Sequence, residues 1–237
     1  MNMFNTHNST DFVMFSTSHF LALILLVLLV FSLYFFKAAI RSNDLLKKWI
    51  KYLIIGALVI PELCLYIWNT DQSLWDVTTS LPLELCSFTQ LISIIMLVKP
   101  IRILYPFVFF AGIGGAMQAM ITPNLQYAFP HFIFFYFFIT HISIILAPFY
   151  LTWIEHYRPT WKSIGVTMVL LNICVLFVGI INLILNSNYM FLMHKPYSAS
   201  ILDILGEYPY YLISEEFLAL FIFVFMYSFF LFKSQKV

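Results

Sequence analysis

Four polar residues stand close together in the apolar stretch that begins at Leu81: Glu84, Cys86, Ser87 and Gln90. At about 100° per residue, Cys86, Ser87 and Gln90 fall on one side of a helix, with Glu84 at its edge. Such a side is costly against lipid tails, so we expect it to face the protein interior or a hydrated cavity. A thiol there could be a nucleophile if a base accepted its proton.

His141 is the histidine that lies deepest within an apolar run, so we expect it to have a function or to fill a buried hydrogen bond. With Cys86 it would form the minimum pair for acyl transfer, in which the imidazole accepts the thiol proton. The plainer interpretation is packing, since buried cysteine usually behaves as a small hydrophobe. No HExxH motif and no second histidine at i+4 accompany His141, so we predict no metal site and no cofactor.

The composition is that of a polytopic membrane protein. Of the 237 residues, 62% are hydrophobic and only 10% are charged, far from the roughly 25% charged residues of soluble domains. A water-soluble monomer could not bury so much apolar surface. The formal net charge of +1 gives no argument for nucleic-acid binding. We expect one domain, residues 1–237.

Seven apolar runs approach the ~20 residues that a spanning helix needs. The sequence therefore predicts an all-α bundle of seven transmembrane helices over residues 19–36, 50–68, 82–98, 103–121, 132–153, 164–185 and 209–232.

The distribution of basic residues predicts the orientation, because cytoplasmic loops are enriched in Lys and Arg. With the N-terminus outside and the C-terminus inside, eleven of the twelve basic residues fall on the inner side and only Lys195 falls outside. The inner set includes Lys233 and Lys236 near the C-terminus. We expect the chain to lie in a bacterial plasma membrane.

Most of the polar residues in the predicted spans belong to the outer half of the bilayer in this topology. Besides the residues above, they are Glu62, Gln118, His131, Asn182, Glu215 and Glu216. Lys51, at the inner end of the second run, is the one Lys or Arg within the predicted spans, so none lies near the carboxylates to pair with them. We interpret the set as the lining of an outer cavity. The amide side chains could instead be hydrogen-bonding links between helices.

Several short motifs resemble, in order, the bacterial YwaF-like integral membrane proteins. They are Leu83-Glu-Leu-Cys-Ser87, Gly112-Ile-Gly-Gly-Ala-Met-Gln118, Ile121-Thr-Pro-Asn124, Phe129-Pro-His131, Thr140-His141, Tyr157-Arg-Pro159, Val178-Gly-Ile-Ile-Asn182 and Asn188-Tyr-Met-Phe191. That family is similar to the eukaryotic transmembrane protein 164 family, proposed to transfer acyl chains onto lyso-ether-phospholipids through a Cys and a His. The resemblance implies that Cys86 and His141 are the matching pair.

Three functions remain as hypotheses, and the third of them is a seven-helix receptor. In the first, Cys86 is the nucleophile and His141 the general base of an acyltransferase acting on membrane lipids, with Gln90, Gln118 or Asn182 donating to the oxyanion. In the second, the intramembrane carboxylates bind a cation or proton in a transporter or binding protein. The sequence leaves the oligomeric state open.

Overall fold

The structure is a computed structural model that describes residues 3–4, 11–196 and 201–231. The regular secondary structure in these ranges is helical. No β-strand occurs in these ranges, apart from one isolated bridge between Asp11 and Tyr127. The helices are α1 (Thr17–Phe35), α2 (Lys37–Ser42), α3 (Asp44–Asp71), α4 (Leu85–Val98), α5 (Tyr105–Phe107), α6 (Ile113–Ile121), α7 (Phe132–Trp153), α8 (Trp161–Leu185) and α9 (Tyr210–Leu231). A π-helical turn, Val108–Gly112, joins α5 to α6, and short 3₁₀ turns occupy Tyr189–Phe191 and Ile201–Ile204.

Five of these helices are long and apolar enough to cross a membrane: α1, α3, α7, α8 and α9. Two further apolar segments are shorter, Leu85–Val98 and Tyr105–Ile121. The all-helical class predicted from the sequence is confirmed, and each predicted run corresponds to one of these segments. The predicted seventh run ends at Phe232, which lies outside the described residues, as do Lys233 and Lys236.

The starts of α3, α4 and α8 differ from the predicted runs by three residues or more, and that of α3 has a local reason. Helix α3 begins at Asp44, because the Asn43 side chain accepts a hydrogen bond from the Leu46 amide at 3.0 Å and caps a polar first turn. Helix α4 begins at Leu85, three residues after the predicted start, and Glu84 is its extended N-cap residue.

One end of the bundle gathers basic residues, and we call it the basic end. There Arg41 donates to the Trp153 carbonyl at 2.6 Å, and Lys47 forms a 2.9 Å ion pair with Glu155. The hydroxyl of Tyr105, at the start of α5, is hydrogen-bonded to the Thr152 hydroxyl at 2.8 Å. The α1–α3, α4–α5 and α7–α8 connections therefore meet at this end.

The opposite end is closed by the segments 72–84, 122–131 and 186–196, and we call it the cap end. His19, near the start of α1, accepts a hydrogen bond from the Phe15 amide at Nδ1, so its proton is on Nε2. Nε2 donates to the carbonyl of Met120, near the end of α6, at 2.8 Å. The Leu81 amide donates to the Tyr189 hydroxyl at 2.9 Å. Helices α4 and α7 both start here, so they run in the same direction.

Helix α7 is the centre of the bundle. It packs against α1, α3, α4 and α6. Half of the residues in its most apolar stretch are buried in the bundle, whereas no more than 22% of the corresponding stretch is buried in each of the other four long helices. Side chains on this helix are therefore the ones that can meet several other helices at once.

Candidate functional site

The π-helical turn packs against both α4 and α7 at a glycine. A Cβ placed on Gly112, in the π-helical turn, would lie 3.6 Å from Thr89 Cβ on α4 and 3.7 Å from Ile144 Cγ2 on α7. The small residue lets three backbones come together, as small residues do between membrane helices. Because α4 and α7 run in the same direction, this contact sets the register between them.

The register brings the predicted pair to one level of the bundle. Cys86 precedes Thr89 by three positions and His141 precedes Ile144 by three positions. At 1.5 Å per residue, each is displaced by about 4.5 Å toward the cap end. The two residues predicted to do the chemistry therefore lie on neighbouring helices at matching depth.

A hydrogen-bonded bridge links α3, α4 and α7 beside this level. Gln90 on α4 donates to the Leu58 carbonyl at 2.7 Å and to Glu62 Oε2 at 3.3 Å, both on α3. Tyr136 on α7 donates to the same Glu62 oxygen at 3.0 Å. Pro61 lies inside α3, and a proline lacks the amide that would continue the helical ladder, which loosens the backbone next to Leu58 and Glu62.

Neutral donors hold the Glu62 carboxylate in this bridge. The one ion pair between side chains in the described ranges is Lys47–Glu155 at the basic end. Sequence reasoning singled out Glu62 and Gln90 but missed Tyr136, which sits in the aromatic run from Phe132 to Phe138. The signal that could have revealed it is its phenol, the one hydrogen-bonding side chain of that run.

Cys86 is half-buried on the side of α4 that leads to Gln90. Cys86 precedes Gln90 by four positions, about one helical turn, so the thiol lies on the side of α4 that faces the bridge. The hydroxyl of Thr89, one turn further along α4, donates a hydrogen bond to the Cys86 carbonyl at 3.0 Å. The thiol therefore faces the α3–α7 side of its helix.

His141 is buried, with 9% of its surface exposed, and its ring lies 4.2 Å from that of Phe137, centroid to centroid, in a tilted arrangement. Its Nδ1 lies 2.7 Å from the Phe137 carbonyl, which can only accept, so the neutral ring carries its proton on Nδ1. Nε2 is then left as a hydrogen-bond acceptor, as a general base requires. Within the described ranges, no hydrogen bond joins His141 to Cys86.

The rotation of α7 explains why that bond is not formed. At about 100° per residue, Tyr136 and Thr140 lie to one side of Ile144 and His141 lies to the other. Cys86 is turned toward the Tyr136 side. The structure thus matches the pair in depth and separates it in direction.

The remaining polar residues predicted on or next to α4 and α6 differ in whether their side chains form hydrogen bonds. Glu84 is exposed and accepts from the Met190 amide at 3.0 Å, so it stabilises the 186–196 segment. Ser87 is half-buried. The Gln118 side chain is half-buried, and its amide makes no hydrogen bond to any part of the chain that the structure describes.

Asn182 and His131 stabilise the cap end. Asn182, 1% exposed, donates to the Tyr189 carbonyl at 2.9 Å and accepts from the Tyr189 amide and the Ser187 hydroxyl at 2.9 and 2.8 Å. His131 is the N-cap of α7, accepts from the Ile133 amide at 3.2 Å and stacks 4.2 Å from Tyr127. Nearby in the 72–84 segment, hydrogen bonds from the Thr78 amide and hydroxyl lower the pKa of the Asp76 carboxyl.

The two carboxylates of α9 lie on another interface. Glu216 accepts from the Asn172 amide of α8 at 3.1 Å, and Asn172 is exposed. Glu215 is half-buried beside it. The structure gives this α8–α9 pair no contact with the Glu62 bridge. In the described ranges, no group of three or more His, Cys, Asp or Glu side chains is placed to hold a metal ion.

Long apolar helices that enclose a polar bridge define an integral membrane protein. Comparison with protein families gives the finer assignment: residues 14–227 match the TMEM164 family. The chain belongs to this family, because the match covers most of its length. Comparisons with curated proteins and with solved structures gave no match.

Proposed function

We propose that this chain is a thiol-dependent acyltransferase that acts on membrane lipids. The observation that carries the proposal is the shared depth of Cys86 and His141, set by the Thr89–Gly112–Ile144 contact, together with the free Nε2 of His141. Membership of the TMEM164 family supports it.

In the first half-reaction, Cys86 Sγ attacks the carbonyl carbon of a lipid ester and its proton passes to His141 Nε2. The tetrahedral intermediate collapses, and the leaving alkoxide takes that proton and departs as a lysolipid alcohol. In the second half-reaction, an acceptor hydroxyl gives its proton to Nε2 and attacks the thioester, and the thiol is released. Because His141 and Cys86 lie at the same depth but on different sides of α7, this role requires the His141 ring to turn toward the thiol when substrate binds, and catalytic hydrogen bonds often form only in that complex.

The amide side chains are not equivalent as donors to the oxyanion. Those of Gln90 and Asn182 already donate to Leu58, Glu62 and Tyr189. Gln118 keeps an unengaged amide at the end of α6 nearest the cap. Of the three amides predicted from the sequence, Gln118 is therefore the one we propose for oxyanion stabilisation.

We place the site in the outer half of a bacterial plasma membrane, in a bundle of seven spans with the N-terminus outside. The grouping of Arg41 and Lys47 with the α7–α8 connection at one end supports this topology under the positive-inside rule. Two of the seven spans would be the shorter segments Leu85–Val98 and Tyr105–Ile121.

The test is acylation of the purified protein in detergent by a long-chain p-nitrophenyl ester, followed by intact mass and peptide mapping. We expect one acyl adduct on Cys86, lost in Cys86→Ser. His141→Ala should slow acylation at pH 7 and slow it much less at pH 9.5, where the thiolate forms without a base. The matched control is Cys64→Ser, an exposed cysteine on α3. An adduct that persists in Cys86→Ser would exclude this mechanism.

A second candidate function is favoured by one observation. Glu62 is held by Tyr136 and Gln90 without a cationic partner, as expected for a carboxylate that binds a proton or cation during transport. Proteoliposomes with an internal pH dye would test it: Glu62→Gln should abolish a solute-driven pH change, while Cys86→Ser should leave it unchanged.

A further inference from the structure

A buried hydroxyl next to the site has no hydrogen-bond partner. Thr140 is 2% exposed, and in the described ranges its Oγ1 contacts no donor or acceptor. Leaving such a group unsatisfied is costly, because it gives up its hydrogen bonds to water and gains none in the protein. Among the buried side-chain hydroxyls of the described ranges, Ser93 is the other one without a partner, and it lies farther from the thiol.

Other helical hydroxyls bond to the carbonyl one turn back. Ser143, on the same helix, donates to Ile139 at 2.7 Å, Thr152 donates to Pro148 at 2.6 Å and Thr167 donates to Ser163 at 2.9 Å. This bond is the usual way in which Ser and Thr are satisfied within a helix. The Thr140 hydroxyl could donate to the carbonyl of Tyr136 in the same way, but it does not.

The position of Thr140 places it opposite the thiol. It precedes Ile144 by four residues, about 6 Å toward the cap end, and Cys86 lies about 4.5 Å from Thr89 in the same direction. Thr140 lies on the Tyr136 side of α7, and Cys86 lies on the Gln90 side of α4. Both therefore lie on the facing sides of α4 and α7, between Gly112, which Thr89 and Ile144 approach, and the bridge to Glu62.

We propose that Thr140 is a further catalytic residue, whose hydroxyl donates a hydrogen bond to the oxyanion formed when Cys86 attacks the ester carbonyl. This inference rests on the proposed acyl transfer. As Sγ bonds to the carbonyl carbon, the π electron pair moves to oxygen, and the Thr140 O–H stabilises that charge. Collapse restores the carbonyl as the thioester and expels the alkoxide, which takes its proton from His141.

One comparison separates this role from packing and from access to the thiol. Acylation by the p-nitrophenyl ester passes through an oxyanion, whereas alkylation by iodoacetamide does not. Thr140→Val keeps the shape of the side chain and removes the hydroxyl, so acylation should fall by about 100-fold while alkylation of Cys86 stays unchanged. Thr140→Ser, which restores a hydroxyl, should retain most of the acylation rate.

Ser93 provides a matched control, because it is also fully buried with an unpartnered hydroxyl but lies on the basic-end side of Thr89. Ser93→Ala should change neither rate. Acylation of Thr140→Val at the wild-type rate, or an equal slowing of alkylation, would overturn the assignment, and Thr140→Ala serves if the valine variant does not fold. Wild-type protein that is not acylated on Cys86 would overturn the proposed function itself.

Discussion

Tyr136 on α7 donates a hydrogen bond to Glu62 on α3 at 3.0 Å, and Gln90 on α4 donates to the same oxygen. Three helices are thereby joined through a single carboxylate. The bridge lies beside Cys86, so it orients the side of α4 that carries the thiol. Its strength can be measured separately from any activity.

We predict that Tyr136→Phe lowers the free energy of unfolding by about 1 kcal/mol, a typical value for a hydrogen bond between membrane helices. The measurement is thermal or denaturant unfolding in one detergent, as a double-mutant cycle with Glu62→Ala. Tyr66→Phe is the control, because the Tyr66 phenol makes no side-chain hydrogen bond to Glu62. Additive effects of Tyr136→Phe and Glu62→Ala would mean that the two side chains do not interact.

The contact at Gly112 predicts a sharp dependence on side-chain size. Gly112→Ala should be tolerated within about 1 kcal/mol, because its Cβ would meet neighbours at 3.6 Å or more and alanine favours a helix. Gly112→Leu should cost about 1–3 kcal/mol by forcing α4 from α7, and should also slow acylation. Gly165→Leu is the control, since nothing lies within 4 Å of a Cβ there. Equal melting temperatures for both leucine variants would contradict the packing described here.

Asn182 should be a stability residue. Asn182→Leu leaves the amide and carbonyl of Tyr189 and the Ser187 hydroxyl without their partner, so we expect a loss of about 3 kcal/mol. Limited proteolysis should then cut the 186–196 segment faster. Asn172→Leu is the matched control, because it removes one exposed side-chain hydrogen bond, to Glu216, and should lower the melting temperature much less. A catalytic defect at unchanged stability would instead indicate a direct role for Asn182 in the site.

The proposed topology predicts which loops an impermeant thiol reagent can reach in intact cells. In a background without native cysteines, Thr79→Cys and Asn124→Cys should be labelled from outside, and Ser42→Cys only after the membrane is opened. All three positions are exposed in the structure. Labelling of Ser42→Cys in intact cells would reverse the orientation.

The helical segments could be predicted from the sequence because apolar runs of this length have few alternatives. Their partners could not be, because contacts depend on the rotation of each helix about its axis. In α7 the apolar residues surround the helix, so periodicity gives no face, and Tyr136 is hidden among phenylalanines. Glu62 and Gln90 were recognised individually, but their common oxygen follows from the approach at Gly112.

Asn182 illustrates a second reason why the partners of side chains could not be predicted from the sequence. Its amide was a candidate donor to substrate because it lies in a predicted span, yet its partners are the backbone of a loop. That loop contains left-handed residues at Asn186, Met190 and Phe191, a conformation that non-glycine residues adopt infrequently. Sequence patterns give no sign of such a turn, so the stabilising role of Asn182 was not apparent.

The brevity of α4 has a consequence for the surrounding lipid. Its 14 residues rise by about 21 Å, whereas a hydrocarbon layer is about 30 Å thick, and the neighbouring α3 has 28 residues. In the seven-span arrangement proposed here, we expect a bilayer beside α4 to thin locally, since thinning is one response to such a mismatch. Cys86 is the second residue of α4, so a thinned leaflet would bring the ester linkages of its phospholipids toward the depth of the thiol.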